Sequence, residues 1–102
     1  MPPPDALSTA GAASRFPLGR IVATPAALAA LVVAKMSPHT LLARHARSDW
    51  GDLNDHDRQE NEQALAKVTR LLSAYLLPDG SKVWIITEAD RSATTLLLAD
   101  EY

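Results

Sequence analysis

The stretch from Arg70 to Tyr102, RLLSAYLLPDGSKVWIITEADRSATTLLLADEY, decides the fold, because strand formers, turn residues and alternation agree there. It predicts three antiparallel strands in a meander. Arg70 to Leu77 is the first; Pro78-Asp79-Gly80-Ser81 reverses the chain, proline presetting φ, aspartate accepting local amide hydrogen bonds and glycine tolerating φ > 0. Lys82 to Thr87 is the second, Glu88-Ala89-Asp90-Arg91 turns again, and Ser92 to Leu98 is the third, with threonines suited to a pleated surface.

Upstream of the meander the pattern changes to helical. Thr24-Pro25 opens a helix to about Met36, since threonine caps free amides and proline at the first helical position forfeits a donor that has no partner there. Leu28, Leu31, Val32 and Lys35 follow the helical spacing, and Val33 and Met36 widen the apolar face. Ser37-Pro38 opens a second helix to about Arg47, with Leu41, Leu42 and His45 on one side and Arg44 and Arg47 outward. Ser48 to Asn54 reads as a loop carrying Trp50 and Gly51, and Asp55 to Lys67 as a mostly polar third helix touching the core near Ala64 and Leu65. Ile21 and Val22 centre a short extended piece that would add an edge strand. The expected fold is α+β, a small antiparallel sheet with about three helices packed on it. Residues 1–14, rich in proline, alanine and serine, are expected to form a flexible tail, and 15–102 a single domain.

Both faces of this sheet are apolar. On the first strand Leu71, Ser73, Tyr75 and Leu77 alternate with Leu72, Ala74 and Leu76; on the second Val83, Ile85 and Thr87 alternate with Trp84, Ile86 and Glu88. A sheet with one solvated face alternates more cleanly, so a second covering layer is expected. With Val83, Ile85, Leu72 and Leu76 toward the helices, Tyr75, Leu77, Trp84 and Ile86 form the expected interface of a homodimer.

Composition narrows the function classes. At 102 residues, 47% apolar, the chain holds one core, and its net charge of −2 disfavours nonspecific binding to nucleic acid or anionic membrane. The absence of cysteine removes disulfides, thiolate nucleophiles and thiolate zinc sites, and the apolar run Ala26 to Ala34 is too short to span a bilayer. With no secretory signal apparent, the expected location is cytoplasmic.

His45, Asp49, Asp52, Asp55, His56 and Asp57 group imidazoles and carboxylates within a dozen residues. His45, Asp49, Asp52 and His56 are therefore the candidate ligands for a metal-dependent hydrolytic enzyme, although no established ligand spacing is matched. Six of the 12 acids lie between Asp49 and Glu62, a solubilising face, a docking surface for a basic partner, or the phosphate mimicry of an anti-restriction factor. Arg44, His45 and Arg47 beside Trp50 are too few for a nucleic-acid stripe. Serines 73, 81 and 92 sit in no nucleophile motif, and no glycine-rich phosphate loop is present. The reading favoured is a non-enzymatic protein-interaction module, with no catalytic residue and no cofactor; the alternatives are the hydrolase and a DNA-associated regulator.

The segments GRIVATPAALAAL, ARSDWGDLNDHDRQENEQAL and above all W-I-I-T-E-A-D-R-S at Trp84 to Ser92 carry a resemblance covering Leu18 to Tyr102. The chain resembles small uncharacterised bacterial proteins of plasmids and integrative elements, some labelled "plasmid-related protein", others "type I restriction endonuclease subunit M". The resemblance implies an origin on bacterial mobile DNA and supplies no catalytic residues. Methyltransferase activity does not follow from that label, since the chain has no [ND]-P-P-[YF] motif and no glycine-rich cofactor loop.

Overall fold

The computed structural model describes residues 14–102, so the expected tail lies outside the described residues except for Ser14. Four strands, β1 Arg20–Ala23, β2 Leu71–Leu76, β3 Lys82–Thr87 and β4 Ala93–Leu98, accompany three helices, α1 Pro25–Ala34, α2 Pro38–Ala46 and α3 Asp55–Lys67, and a closing 3-10 turn, Ala99–Glu101. The sheet order is β1-β4-β3-β2. β2, β3 and β4 form the antiparallel meander, whereas β1 lies parallel to β4 and makes the sheet mixed. The architecture is α+β.

Each helix starts where its cap stands. Thr24 Oγ1 accepts from the Ala27 amide at 3.1 Å, Ser37 Oγ from His39 at 3.2 Å and Asn54 Oδ1 from Asp57 at 2.8 Å. Thr24 also donates its hydroxyl proton to Glu101 at 2.7 Å, tying the start of α1 to the end of the described chain. The buried face of α1 is Ala27 and Leu31, flanked by Ala30 and Ala34, rather than the expected Leu28, Leu31 and Val32. Alanines let the helix backbone approach the sheet closely, and Leu28, Val32 and Val33 are left exposed.

The first hairpin corrects the facing of the sheet. Gly80 N–H donates to the Leu77 carbonyl at 2.9 Å and Leu77 N–H to the Ser81 carbonyl at 2.8 Å, with Gly80 at φ 90°. The loop therefore holds three residues, Pro78 to Gly80, and closes with a left-handed glycine. A four-residue loop would have paired Leu77 with Lys82; the shorter loop puts Tyr75 opposite Val83 and Ser73 opposite Ile85. Because side chains alternate, this one-residue difference moves Tyr75 and Leu77 to the helix side and Leu72 and Leu76 away from it. Tyr75 and Leu77, expected at an interface, are 1% and 2% exposed and pack with Leu31, Leu41, Leu42, Val83, Ile85 and Leu96. A second cluster joins Phe16, Trp50, Ala64 and Leu71 beneath α3.

The residues expected to be a plain loop before α3 instead close an edge of the sheet. Ala74 N–H donates to the Trp50 carbonyl at 3.1 Å, and Asp52 N–H to the Ala74 carbonyl at 2.6 Å, a parallel bridge at Gly51. Asp52 Oδ2 accepts from Leu76 N–H at 2.7 Å. The Asn61 amide completes the row, donating to the Leu72 carbonyl at 2.6 Å and accepting from Leu72 N–H at 3.1 Å. Outward backbone groups of β2 are thus satisfied by side chains and loop, which removes that edge as a template for strand addition.

Two glycines are expected to respond differently to substitution. Gly80 sits at positive φ with no atom within 4 Å of an added Cβ, so Gly80→Val costs about 1–2 kcal/mol from backbone strain alone. Gly51, at φ +76°, would place a Cβ too close to the Ala74 carbonyl oxygen and 2.7 Å from the Tyr75 ring. Gly51→Ala is therefore expected to cost more, about 3 kcal/mol, read as a larger drop in urea midpoint than Gly80→Val produces.

Candidate functional site

The most concentrated chemistry in the described residues is a hydrogen-bonded chain buried between α2 and the sheet. His45 is fully buried; its Nδ1 lies 2.5 Å from Ser73 Oγ on β2 and its Nε2 2.8 Å from Thr87 Oγ1 on β3. Thr87 Oγ1 is 2.8 Å from Thr94 Oγ1 on β4, whose hydroxyl donates to the Leu18 carbonyl at 2.7 Å. Counting donors orders the protons. Thr94 has given its only proton to Leu18, so it accepts from Thr87; Thr87 then accepts from His45, which must carry its proton on Nε2. Nδ1 is left as an acceptor, and Ser73 donates to it. Every member is satisfied, and the imidazole is neutral.

Burial, and secondarily the positive charge of Arg91, pushes the His45 pKa down to about 4. Arg91 stands at the β3–β4 turn with φ 61°, and its guanidinium donates to the carbonyls of Ala64, Thr69, Glu88 and Ala89. Four carbonyl partners account for an arginine at a position where glycine has the easier backbone. The aromatic surround of His45 is Phe16 and Trp50, with ring centroids 5.2 and 5.7 Å away.

The proposed metal ligands are not brought together. His45 has both nitrogens engaged, and Asp49 is held by Arg44 at 2.6 and 3.1 Å, a two-point contact that keeps its carboxyl below the usual range. Asp52 accepts from the Leu76 amide, and His56 is exposed in the first turn of α3. Among the described residues no three histidine, aspartate or glutamate side chains cluster to hold a metal ion. Ser73 and His45 have the contact of a nucleophile and its base, but both are 0% exposed, so no substrate reaches them in this conformation.

The basic and acidic groups are similarly dispersed. Arg44 lies 4.6 Å from the centroid of the Tyr75 ring, and the Tyr75 hydroxyl donates to the Asp49 carbonyl at 2.6 Å; burial raises the tyrosine pKa to about 12. Trp50 is buried and donates from its indole nitrogen to Glu62 at 3.1 Å, while Arg15 pairs with the same carboxylate at 3.2 Å. No base can stack on that indole. Among the described residues no single helix is long and apolar enough to cross a membrane.

The sheet face away from the helices is the other candidate. Leu72, Ala74, Leu76, Trp84, Ile86 and Leu97 share it by register. A cavity of about 280 Å³ opens there between Arg70, Leu72, Trp84, Ile86 and Tyr102. Trp84 and Tyr102 meet with centroids 5.2 Å apart, and Arg70 donates to the Tyr102 hydroxyl at 3.2 Å. Comparison with protein-family models, curated proteins and solved structures gives no match to this chain.

The reading from sequence missed the His45 chain. A signal was present: Ser73, Thr87 and Thr94 are polar residues at core-facing positions of three adjacent strands, and His45 lies on the apolar side of its helix. The pH dependence of stability follows. The unfolded chain takes up a proton on this histidine near pH 6.5 and the folded chain only near 4, so the unfolded state binds more protons between those values. The contribution is complete above pH 6.5 and is lost as pH falls to about 4, on the order of 3 kcal/mol. Urea unfolding at pH 7.5, 5.5 and 4.5 is expected to record that fall, and His45→Leu, less stable at pH 7.5, is expected to flatten it.

Proposed function

We propose that this chain is a non-enzymatic interaction module that joins a second copy of itself through the open face of its sheet. The observation that carries the reading is the apolar group Leu72, Trp84, Ile86 and Leu97 on the side away from the described helices, with Leu76 exposed beside it. Tyr102 packs on Trp84; Ile86 is buried, Leu72, Trp84 and Leu97 are half-buried, and Leu76, 54% exposed, is the apolar strand side chain of this face most open to solvent. A tryptophan within an apolar patch is the usual anchor of a protein contact, and closed two-fold pairing is the commonest way to cover one. Of the residues expected at the interface, Trp84 lies on this face and is half-buried, Ile86 lies on it and is buried, and Tyr75 and Leu77 belong to the core on the other side.

The burial of Ser73 and His45 and the separation of His56 from Asp49 and Asp52 favour a module over a hydrolase. The resemblance of Trp84 to Ser92 to plasmid-related proteins supports reading such a module as an accessory product of mobile DNA that acts in the cytoplasm. Light scattering at micromolar concentration is expected to give about twice the chain mass of 11.0 kDa. Trp84→Glu is expected to halve it while circular dichroism stays unchanged. A wild-type mass of one chain overturns the reading.

A further inference from the structure

We propose that the outer side of α1, with the adjoining edge strand β1, docks on an anionic lipid membrane, with Leu28, Val32 and Val33 entering the layer of headgroups and first acyl carbons. This surface lies on the helix side and at one edge of the sheet, away from Trp84, and so goes beyond the pairing proposed above. α1 reads PAALAALVVA and has no polar side chain in any direction. A helix that is apolar all round belongs in a protein interior or in lipid, yet only the side bearing Ala27 and Leu31 is buried. Val32 and Val33 are 76% and 73% exposed, and Leu28, together with Ile21 and Val22 on β1, is exposed as well. Most of the large hydrophobic side chains left exposed among the described residues are thus gathered in two consecutive elements at one edge of the sheet.

Two further observations name the occupant. The first is charge. The net charge of −2 averages two unlike halves: Ala6 to Ser48 contains no aspartate or glutamate, and every acid but Asp5 lies from Asp49 onward. Such asymmetry points to an anionic surface as partner. Of the cations in the acid-free half, Arg15 reaches Glu62, and Arg44 and Arg47 reach Asp49. Arg20, at the start of β1, and Lys35, at the end of α1, are exposed and have no carboxylate paired to them among the described residues. Glu101, which reaches the start of α1, is held by the Thr24 hydroxyl and the Leu98 amide. Two cations therefore border the apolar surface, free to meet anionic headgroups while the side chains beside them enter the acyl layer. The second observation is what the surface lacks. Protein contacts are anchored by aromatic and arginine side chains and oriented by hydrogen bonds, whereas the outer side of α1 offers only alkyl groups, which fluid lipid accepts without a matching shape.

Flotation of the full chain with lipid vesicles tests this. Vesicles of phosphatidylcholine mixed with phosphatidylserine are expected to carry the protein, and vesicles of phosphatidylcholine alone to carry about tenfold less. Val32→Asp combined with Val33→Asp changes two side chains that the core does not use, and is expected to weaken binding to the anionic vesicles by about tenfold or more while the urea midpoint stays unchanged. Arg20→Glu combined with Lys35→Glu is expected to remove the preference for phosphatidylserine with every apolar side chain in place; should the valine variant not fold, this pair alone decides. A wild-type chain that floats with neither vesicle overturns the proposal, as does binding that survives both valine changes or a preference for phosphatidylserine that survives both charge reversals. A valine variant whose mass by light scattering falls to half that of the wild type also overturns it, because the face would then join two copies of the chain.

Discussion

A neutral imidazole in the interior holds the layers of this protein together. Through His45 a single line of hydrogen bonds runs from Ser73 on β2 across β3 and β4 to the carbonyl of Leu18, just before β1. It therefore ties β2, β3, β4 and the segment leading into β1 to the helix above them. In a medium of low dielectric such a line is favourable only when complete, since an orphaned buried hydroxyl or ring nitrogen costs about 1–3 kcal/mol. Register errors between any two strands would break it. The line thus specifies one strand alignment more sharply than the leucines and isoleucines around it, which tolerate sliding.

The acidic segment before and within α3 has largely structural partners. Asp49 clamps Arg44 beside Tyr75, Asp52 caps a strand amide, and Glu62 receives both Trp50 and Arg15. A carboxylate suits these positions because amides, guanidinium and indole are all donors. Together with Asn61 they finish one edge of the sheet, while Arg91 gathers the carbonyls at the end of α3 and at the following turns. The charged residues of this region are a frame for the core before they are a surface.

All three helices contribute to the core on one face of the sheet, and this arrangement directs attention to the other face. α1 and α2 supply Leu31, Leu41 and Leu42, and α3 supplies Ala64, each against strand residues that point the same way. Among the described residues, the closing turn and Tyr102 bend back over the opposite side, where Trp84 lies. On that outer side Ala74 and Ile86 are buried too, while Leu76 stays exposed.

Local signals in the sequence determined much of the fold. Thr24 and Ser37 marked the starts of the first two helices, and the runs around Ser73, Ile85 and Leu96 marked the strands, because capping and alternation act over a few residues. The left-handed turn at Gly80 was legible for the same reason. The face to which Tyr75 and Leu77 belong was not, since it depends on whether the hairpin loop closes after three residues or four, and Pro78-Asp79-Gly80-Ser81 accommodates either. Nor was the partnership of His45 with Ser73, Thr87 and Thr94, residues up to 49 positions apart, legible as a constellation. Spacing along a chain carries chemistry only when one element holds all its groups; here four elements share it, and the packing of helix on sheet decided which hydroxyls the imidazole would meet.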